Sequence, residues 1–377
     1  MHDAKISSAP LGLPAIDPDD IGHNTSANPS FNDLIAPRLS RRGLLRAGFG
    51  TAGAAMLGSV SLTACGGGGD GGGDQAPQNL TLGFNPVAKS LADAVVVPAG
   101  YTATVLYRLG DPIAAGVPEY RNDGTDAATT YDRRAGDHHD GMTYFGLSGN
   151  DLWEPANAGR GLLAMNHEAI TPTYLHPTGQ TTSGTGNAQV RTVPEEVLRE
   201  FYLHGVSVIE VARNNGAWAY NRTSRFNRRV HTLTPMTLSG PAAGTAAMVT
   251  KYSPQGTATR GTVNNCANGT TPWGTYLTCE ENWAGYFRRV TATDNAARTA
   301  KELVSLNRYG VAGNGRELWA TVTPDTSDNL YGRWNAQVTG ASAADDFRNG
   351  PNTYGWVVEI DPFNPLSTPR KRTALGR

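Results

Sequence analysis

Two stretches decide how this chain is read: Gly161-Leu162-Leu163-Ala164-Met165-Asn166-His167-Glu168 and Gly274-Thr275-Tyr276-Leu277-Thr278-Cys279-Glu280-Glu281. Each runs from a glycine to a closing glutamate through a short core of apolar and β-branched residues. Segments of that kind, bounded by turn residues, read as strands. Further strands are expected at residues 94–97, 103–107, 142–147, 206–211 and 356–360. Val208-Ile209-Glu210-Val211 also resembles Val357-Val358-Glu359-Ile360. Many short strands with weak self-similarity predict an all-β fold, and a β-propeller in particular. Blades of about 40–50 residues would place roughly six in the length after residue 80. A pair of packed sheets is the alternative. One helix is expected, over residues 194–204, from its Pro-Glu-Glu start and apolar Val197, Leu198 and Phe201.

Composition agrees. The 377 residues include 45 Gly and 23 Pro, a level that disfavours a helical bundle. With 32 Lys and Arg against 33 Asp and Glu, the net charge is -1, which gives no electrostatic basis for binding nucleic acid. Three cysteines are too few for a disulfide scaffold.

The first 79 residues read as an address and a tether. Ser40-Arg41-Arg42-Gly43-Leu44-Leu45-Arg46 resembles a twin-arginine export signal, with Arg41 and Arg42 as its pair. The uncharged Gly/Ala-rich run after it suits a signal peptide ending at residue 64 better than a spanning helix. Leu62-Thr63-Ala64-Cys65 matches the pattern at which bacterial lipoproteins are cleaved and acylated, so Cys65 is the expected lipidation site. A Gly-rich tether follows over residues 65–79. The expected location is therefore the periplasm or cell surface, reached through the Tat machinery and held by a lipid anchor. That route carries folded proteins, which suits a protein that loads a metal before export.

The chemistry-bearing residues cluster at strand ends: Asp137-His138-His139-Asp140-Gly141, Asn166-His167-Glu168, Asn264-Asn265-Cys266-Ala267-Asn268-Gly269 and Cys279-Glu280-Glu281-Asn282. Carboxylates distant in sequence can meet at a propeller axis, where like charges need cations. Oxygen ligands select Ca²⁺ or Mg²⁺, whereas a thiolate or imidazole favours a transition metal. Taken singly, His138 and His139 fit surface positions as well as ligand positions. Glu168 and Glu281 can equally pair with arginines, and Cys266 and Cys279 can form a disulfide. Arg228 and Arg229 are candidates for gripping phosphate, or else an exposed basic strand edge. There is no nucleophile elbow and no phosphate loop of the GxxxxGK type.

The wider wording is more specific. His138-His139-Asp140-Gly141-Met142, Ala164 to Glu168, Thr234-Pro235-Met236, Asn264 to Gly269, Thr278-Cys279-Glu280-Glu281-Asn282 and Gly355 to Pro362 occur in this order. In this the chain resembles the PhoX family of bacterial alkaline phosphatases, most specifically from Asn264 to Asn282. The resemblance implies a Tat-exported β-propeller that hydrolyses small phosphate esters, with two Fe³⁺ ions, one held by a cysteine, and several Ca²⁺ ions. It places the thiolate role on Cys266, which leaves both Cys266 and Cys279 unpaired. Carboxylate roles fall on Glu168 and Glu281, then on Glu280 and Asp140. Family chains continue past Arg377 and draw further acidic ligands from there, so the propeller and its ligand shell are expected to be incomplete within these residues. The lipobox departs from a simply soluble periplasmic enzyme. Two other functions fit the residues: a different calcium-dependent propeller hydrolase, lactonase or phytase-like, and a non-catalytic surface lipoprotein.

Overall fold

Two antiparallel-rich sheets carry the chain. In this computed structural model the described residues are 84–322 and 329–374. The expected signal over 1–64, the tether over 65–79, and with them Arg41, Arg42 and Cys65, lie outside the described residues. The first sheet comprises β1 (His139–Gly146), β2 (Arg160–His167), β5 (Gly205–Asn214), β6 (Ala217–Tyr220) and β7 (Arg228–Val230). Its order is β1-β2-β5-β6, with β7 also pairing β5. A two-stranded ribbon pairs β3 (Thr182–Ser183) with β4 (Val190–Arg191). The second sheet comprises β8 (Pro235–Leu238), β9 (Ala258–Arg260), β10 (Asn265–Thr270), β11 (Tyr276–Glu280), β12 (Trp356–Ile360) and β13 (Arg370–Ala374). Its order is β10-β11-β12-β13-β8-β9, and only β13 and β8 run parallel.

The two sheets share one core. Phe145, Leu162, Ala164, Val206 and Val208 of the first sheet pack with Met236, Tyr276, Val358 and Ile360 of the second. Burying such side chains contributes roughly 1.5–3 kcal/mol each and fixes register, because a slip of one residue would turn each strand inside out. A second, aromatic core gathers Phe201, Trp283, Tyr286, Phe287, Trp319 and Trp334. Phe201 belongs to helix α1 (Pro194–Leu203), which starts on Pro194 with Glu195 and Glu196 in its first turn, as the sequence predicts. Its buried Glu200 accepts from Arg191 Nη2 at 2.7 Å and from Trp319 Nε1 at 2.7 Å, so the helix is docked by charge as well as by apolar contact. A second ten-residue helix, α2 (Ala300–Tyr309), was not expected; Thr299 and Glu302 form a capping box at its start.

The all-β reading therefore holds in its coarse form: strands dominate, with few helices. Two of the expected strands do not form. Residues 94–97 and 103–107 make no ladder, and Val95, Val96 and Val105 are exposed. β-Propensity expresses itself only against a neighbouring strand, and these segments have none among the described residues. The basic run Arg370-Lys371-Arg372 is part of β13. Its Lys371 is wholly buried.

Candidate metal centre

The two Gly-to-Glu stretches become equivalent halves of one construction. β2 closes a hairpin with β1, and β11 closes one with β10. In the first, His139 pairs with His167 and Met142 with Met165. In the second, Asn265 pairs with Glu280 and Asn268 with Thr278. Each ladder thus sets two residues against one, Asp140 and Gly141 opposite Asn166, and Cys266 and Ala267 opposite Cys279. These are β-bulges at the same place, and bulges re-aim side chains. The residue two before each bulged donor is left-handed, His138 with φ 44° and Asn264 with φ 53°. Its carbonyl accepts from the closing glutamate: Glu168 N–H donates to His138 O at 3.0 Å, and Glu281 N–H donates to Asn264 O at 2.9 Å. Each hairpin therefore presents one bulged donor, Asp140 or Cys266, and one closing glutamate, Glu168 or Glu281.

Side-chain bonds across the sheets hold the halves together. Asn166 Nδ2 donates to the Cys266 carbonyl at 2.6 Å. Asn268 Nδ2 donates to the Met142 carbonyl at 3.0 Å. The Tyr276 hydroxyl lies 2.8 Å from two acceptors, the Gly141 carbonyl and Asn166 Oδ1. Asn264 Nδ2 reaches Glu168 Oε1 at 3.3 Å, while its Oδ1 accepts from Asn282 N–H at 2.6 Å. Gly141 is required by closeness: a Cβ there would come within 2.7 Å of the Cys266 carbonyl.

The result is a concentration of acid. One ligand atom each from Glu168, Cys266 and Glu281 lies within 4.8 Å of the others. Burial and the charges of Asp140 and Glu281 raise the Glu168 carboxyl above its ordinary value. The Cys266 thiol is pushed up to about 12, by burial first and then by hydrogen bonding to Asp140 and Glu281. Among the described residues no lysine or arginine forms an ion pair with Asp140, Glu168 or Glu281. Negative groups held together without a counter-charge fit a multivalent cation. Such a cation would reverse the strain on the thiol by binding its deprotonated form. The mixture of one sulfur and several carboxylates suits a bound metal ion.

Not every expected residue is here. Glu280 points to the other side of its strand, as alternation requires of the neighbour of Glu281. It is buried, accepts from Lys371 Nζ at 2.7 Å, and receives the Trp356 N–H at 3.1 Å. It is a structural ion pair, outside the cluster. Arg228 and Arg229 are not an exposed basic edge, and they do not face the cluster. Arg228 donates to the carbonyls of Phe226, Asp361 and Pro362. Arg229 donates to those of Arg134, Val206 and His204. Burial lowers both guanidiniums to about 10. They tie backbones together, each donating to three carbonyls. His139 and His138 are both exposed; His139 packs its ring on Tyr107 and His167, while His138 lies beside Glu168. Cys266 and Cys279 are both free, so the disulfide alternative does not hold. Sequence reasoning places Asn166 and Asn264 in the chemistry-bearing motifs and Tyr276 in a strand but gives none of them a role, because their work is to accept and donate across a junction that only the fold creates.

A sheet-rich protein with sulfur and carboxylates gathered at two matching bulges has the donors of a metal-binding protein. Comparison supplies the family. A family model described as alkaline phosphatase PhoX matches residues 82–377, and the chain belongs to that family. A solved structure described as Pseudomonas fluorescens PhoX in complex with vanadate, a transition state analogue, is 36% identical to it with a TM-score of 0.63. That match covers 77% of this chain and 43% of that one, so this chain spans less than half the length of the relative. No curated protein sequence matches the chain.

Proposed function

We propose that this protein hydrolyses phosphate monoesters at a metal centre held by Asp140, Glu168, Cys266 and Glu281. The observation that carries the reading is the convergence of Glu168, Cys266 and Glu281 within 4.8 Å, with Asp140 against the thiol and no basic partner among the described residues. Family membership supports it, as does the vanadate bound by the Pseudomonas fluorescens relative, since vanadate stands in for a phosphoryl group in transit. The metals we propose are two Fe³⁺ ions, with Cys266 as the sulfur ligand of one, together with Ca²⁺ at carboxylate oxygens. Bound cations of this kind neutralise the phosphate dianion and polarise its oxygens. The chain's own part is positioning. The bulges aim Asp140 and Cys266, the left-handed residues 138 and 264 fix the closing glutamates, and Asn264 orients Glu168.

The finer architecture belongs to the same proposal: the two sheets are blades of a β-propeller. So does the location, an exported protein of the periplasm or cell surface that uses Arg41 and Arg42 for the Tat route and Cys65 for a lipid anchor. The described residues hold no helix long and apolar enough to cross a membrane. The central test measures iron and calcium per chain and turnover of an aryl phosphate, for the wild type and for Cys266→Ala. Iron bound by the wild type, with turnover that needs Cys266, is the expected result. Turnover unaffected by Cys266→Ala would remove the thiolate from the site. Replacing Cys65 by Ala should release the protein from membranes, and a variant that still sediments with them overturns the anchor.

A further inference from the structure

Arginine binds phosphate oxygens bidentately, and Arg228 and Arg229 are committed to backbone carbonyls. The cluster does have a neighbour of the right kind. A cavity of about 270 Å³ is lined by Glu281, Asn282, Gly285, Tyr309 and Arg316 among others. Arg316 is exposed, and among the described residues no carboxylate forms an ion pair with it. The carboxylate of the adjacent Glu317 accepts instead from Gln180 Nε2 at 2.7 Å. Yet the guanidinium is placed. It lies over the Tyr286 ring, 4.7 Å from the centroid, and the Arg316 N–H donates to the Gly285 carbonyl at 2.7 Å. Gly285 itself makes the room: a Cβ there would sit 3.1 Å from Arg316 Nη2 and 3.3 Å from Nε. Tyr286 stands between the two features, for both the Arg316 and the Glu168 charges act on its hydroxyl.

An unpaired guanidinium, stacked and backed by a glycine, in the same cavity as a cluster glutamate is built to take an anion. Its fork of donors matches two oxygens of a phosphate. We propose that Arg316 is a substrate-binding residue of this site, gripping the phosphoryl oxygens of a phosphate monoester and of the inorganic phosphate it yields. The inference rests on the hydrolytic reading above, and it adds the residue that recognises the anion.

The test uses the full chain loaded with metal and titrated with inorganic phosphate by calorimetry, beside KM and kcat on an aryl phosphate. Arg316→Met should weaken phosphate binding and raise KM by about 10- to 100-fold, the loss of one charge-assisted pair. Arg316→Lys should recover part of both, as a point charge without the fork. Iron per chain and melting temperature should stay at wild-type values, since the side chain is exposed and the Gly285 bond is made by backbone. Phosphate affinity within about twofold of wild type in Arg316→Met overturns the proposal, as does a wild type that binds no phosphate. The two readings fail separately. Arg316-dependent phosphate binding without turnover sinks hydrolysis and leaves the anion site. Turnover with unchanged KM in Arg316→Met does the reverse.

Discussion

The β1–β2 and β10–β11 hairpins share a backbone device and differ in what they hang on it. Both have a left-handed residue, a bulge, and a glutamate just past the second strand. The first carries a carboxylate at its bulge, Asp140, and the second carries a thiol, Cys266. The residue before each closing glutamate is buried in both, yet His167 is kept neutral while Glu280 is ionically paired with Lys371. The lesson is that backbone sets where ligands converge, and side chains set which ion they favour and how the frame survives desolvation.

The largest expected effect comes from breaking the second frame. Glu280→Gln leaves the buried Lys371 charge with only the Thr353 carbonyl and the Tyr354 ring among the described residues, and should lower unfolding free energy by about 3–5 kcal/mol in urea titrations. Its neighbour Glu281→Gln, being exposed, should change stability by less than about 0.5 kcal/mol while depleting bound metal. Equal stability losses at 280 and 281 would end the distinction between frame and ligand.

Next is the swap at the bulges. Cys266→Ser should cost about 100-fold or more in phosphatase activity, beyond what neighbours of metal ligands cost. It should also abolish any visible thiolate-to-iron absorption. Cys266→Asp makes the second hairpin resemble the first and should keep calcium while losing that band. A band that persists in Cys266→Asp assigns it to another group.

A smaller effect separates the sheets by pH. His204 and His231 flank β5 and β7 of the first sheet, and burial lowers them to about 4 and about 3. The unfolded value is near 6.5, so stability is full above that pH. It falls as pH drops from about 6.5 toward those values, by about 1.4 kcal/mol per pH unit for each histidine. Hydrogen exchange at pH 5 against pH 7 should therefore open β5 and β7 before β11 and β12. Uniform loss of protection would contradict the contrast.

The smallest effect is His138→Gly. It relieves a left-handed φ without removing the carbonyl that receives Glu168, so stability should shift by less than about 1 kcal/mol and metal content should hold. A large loss of metal would give the imidazole itself a role.

Much of this was legible in sequence, and what was missed has a common cause. The repeated Gly-to-Glu strands correspond to the two hairpins, and Asp140, Glu168, Cys266 and Glu281 do assemble. Local pattern identifies a strand and its last residue, and that was enough for these four. It does not tell which face a side chain takes. The resemblance ranks Glu281 ahead of Glu280, and the pairing of Asn265 with Glu280 places Glu280 in the ladder with its side chain on Lys371. Arg228 and Arg229 look like phosphate ligands until the carbonyls of Asp361 and His204 arrive from distant segments. Residues 94–97 have the composition of a strand and no neighbour to pair with among the described residues. Arg316 was invisible because its meaning lies in Gly285 and Tyr286, thirty-odd residues earlier.

The bond from Asn166 to the Cys266 carbonyl spans 100 residues of sequence, and that from Tyr276 to Asn166 spans 110. Contacts of that reach form late, after the entropy of closing a long loop has been met. Neither hairpin alone gathers all four donors, so a half-folded chain has nowhere to hold the ion. On the proposed metal reading the cluster acts as a clock: metal uptake requires that the two sheets have met, and a time course of metal binding during refolding is expected to trail the formation of strands and coincide with burial of Tyr276.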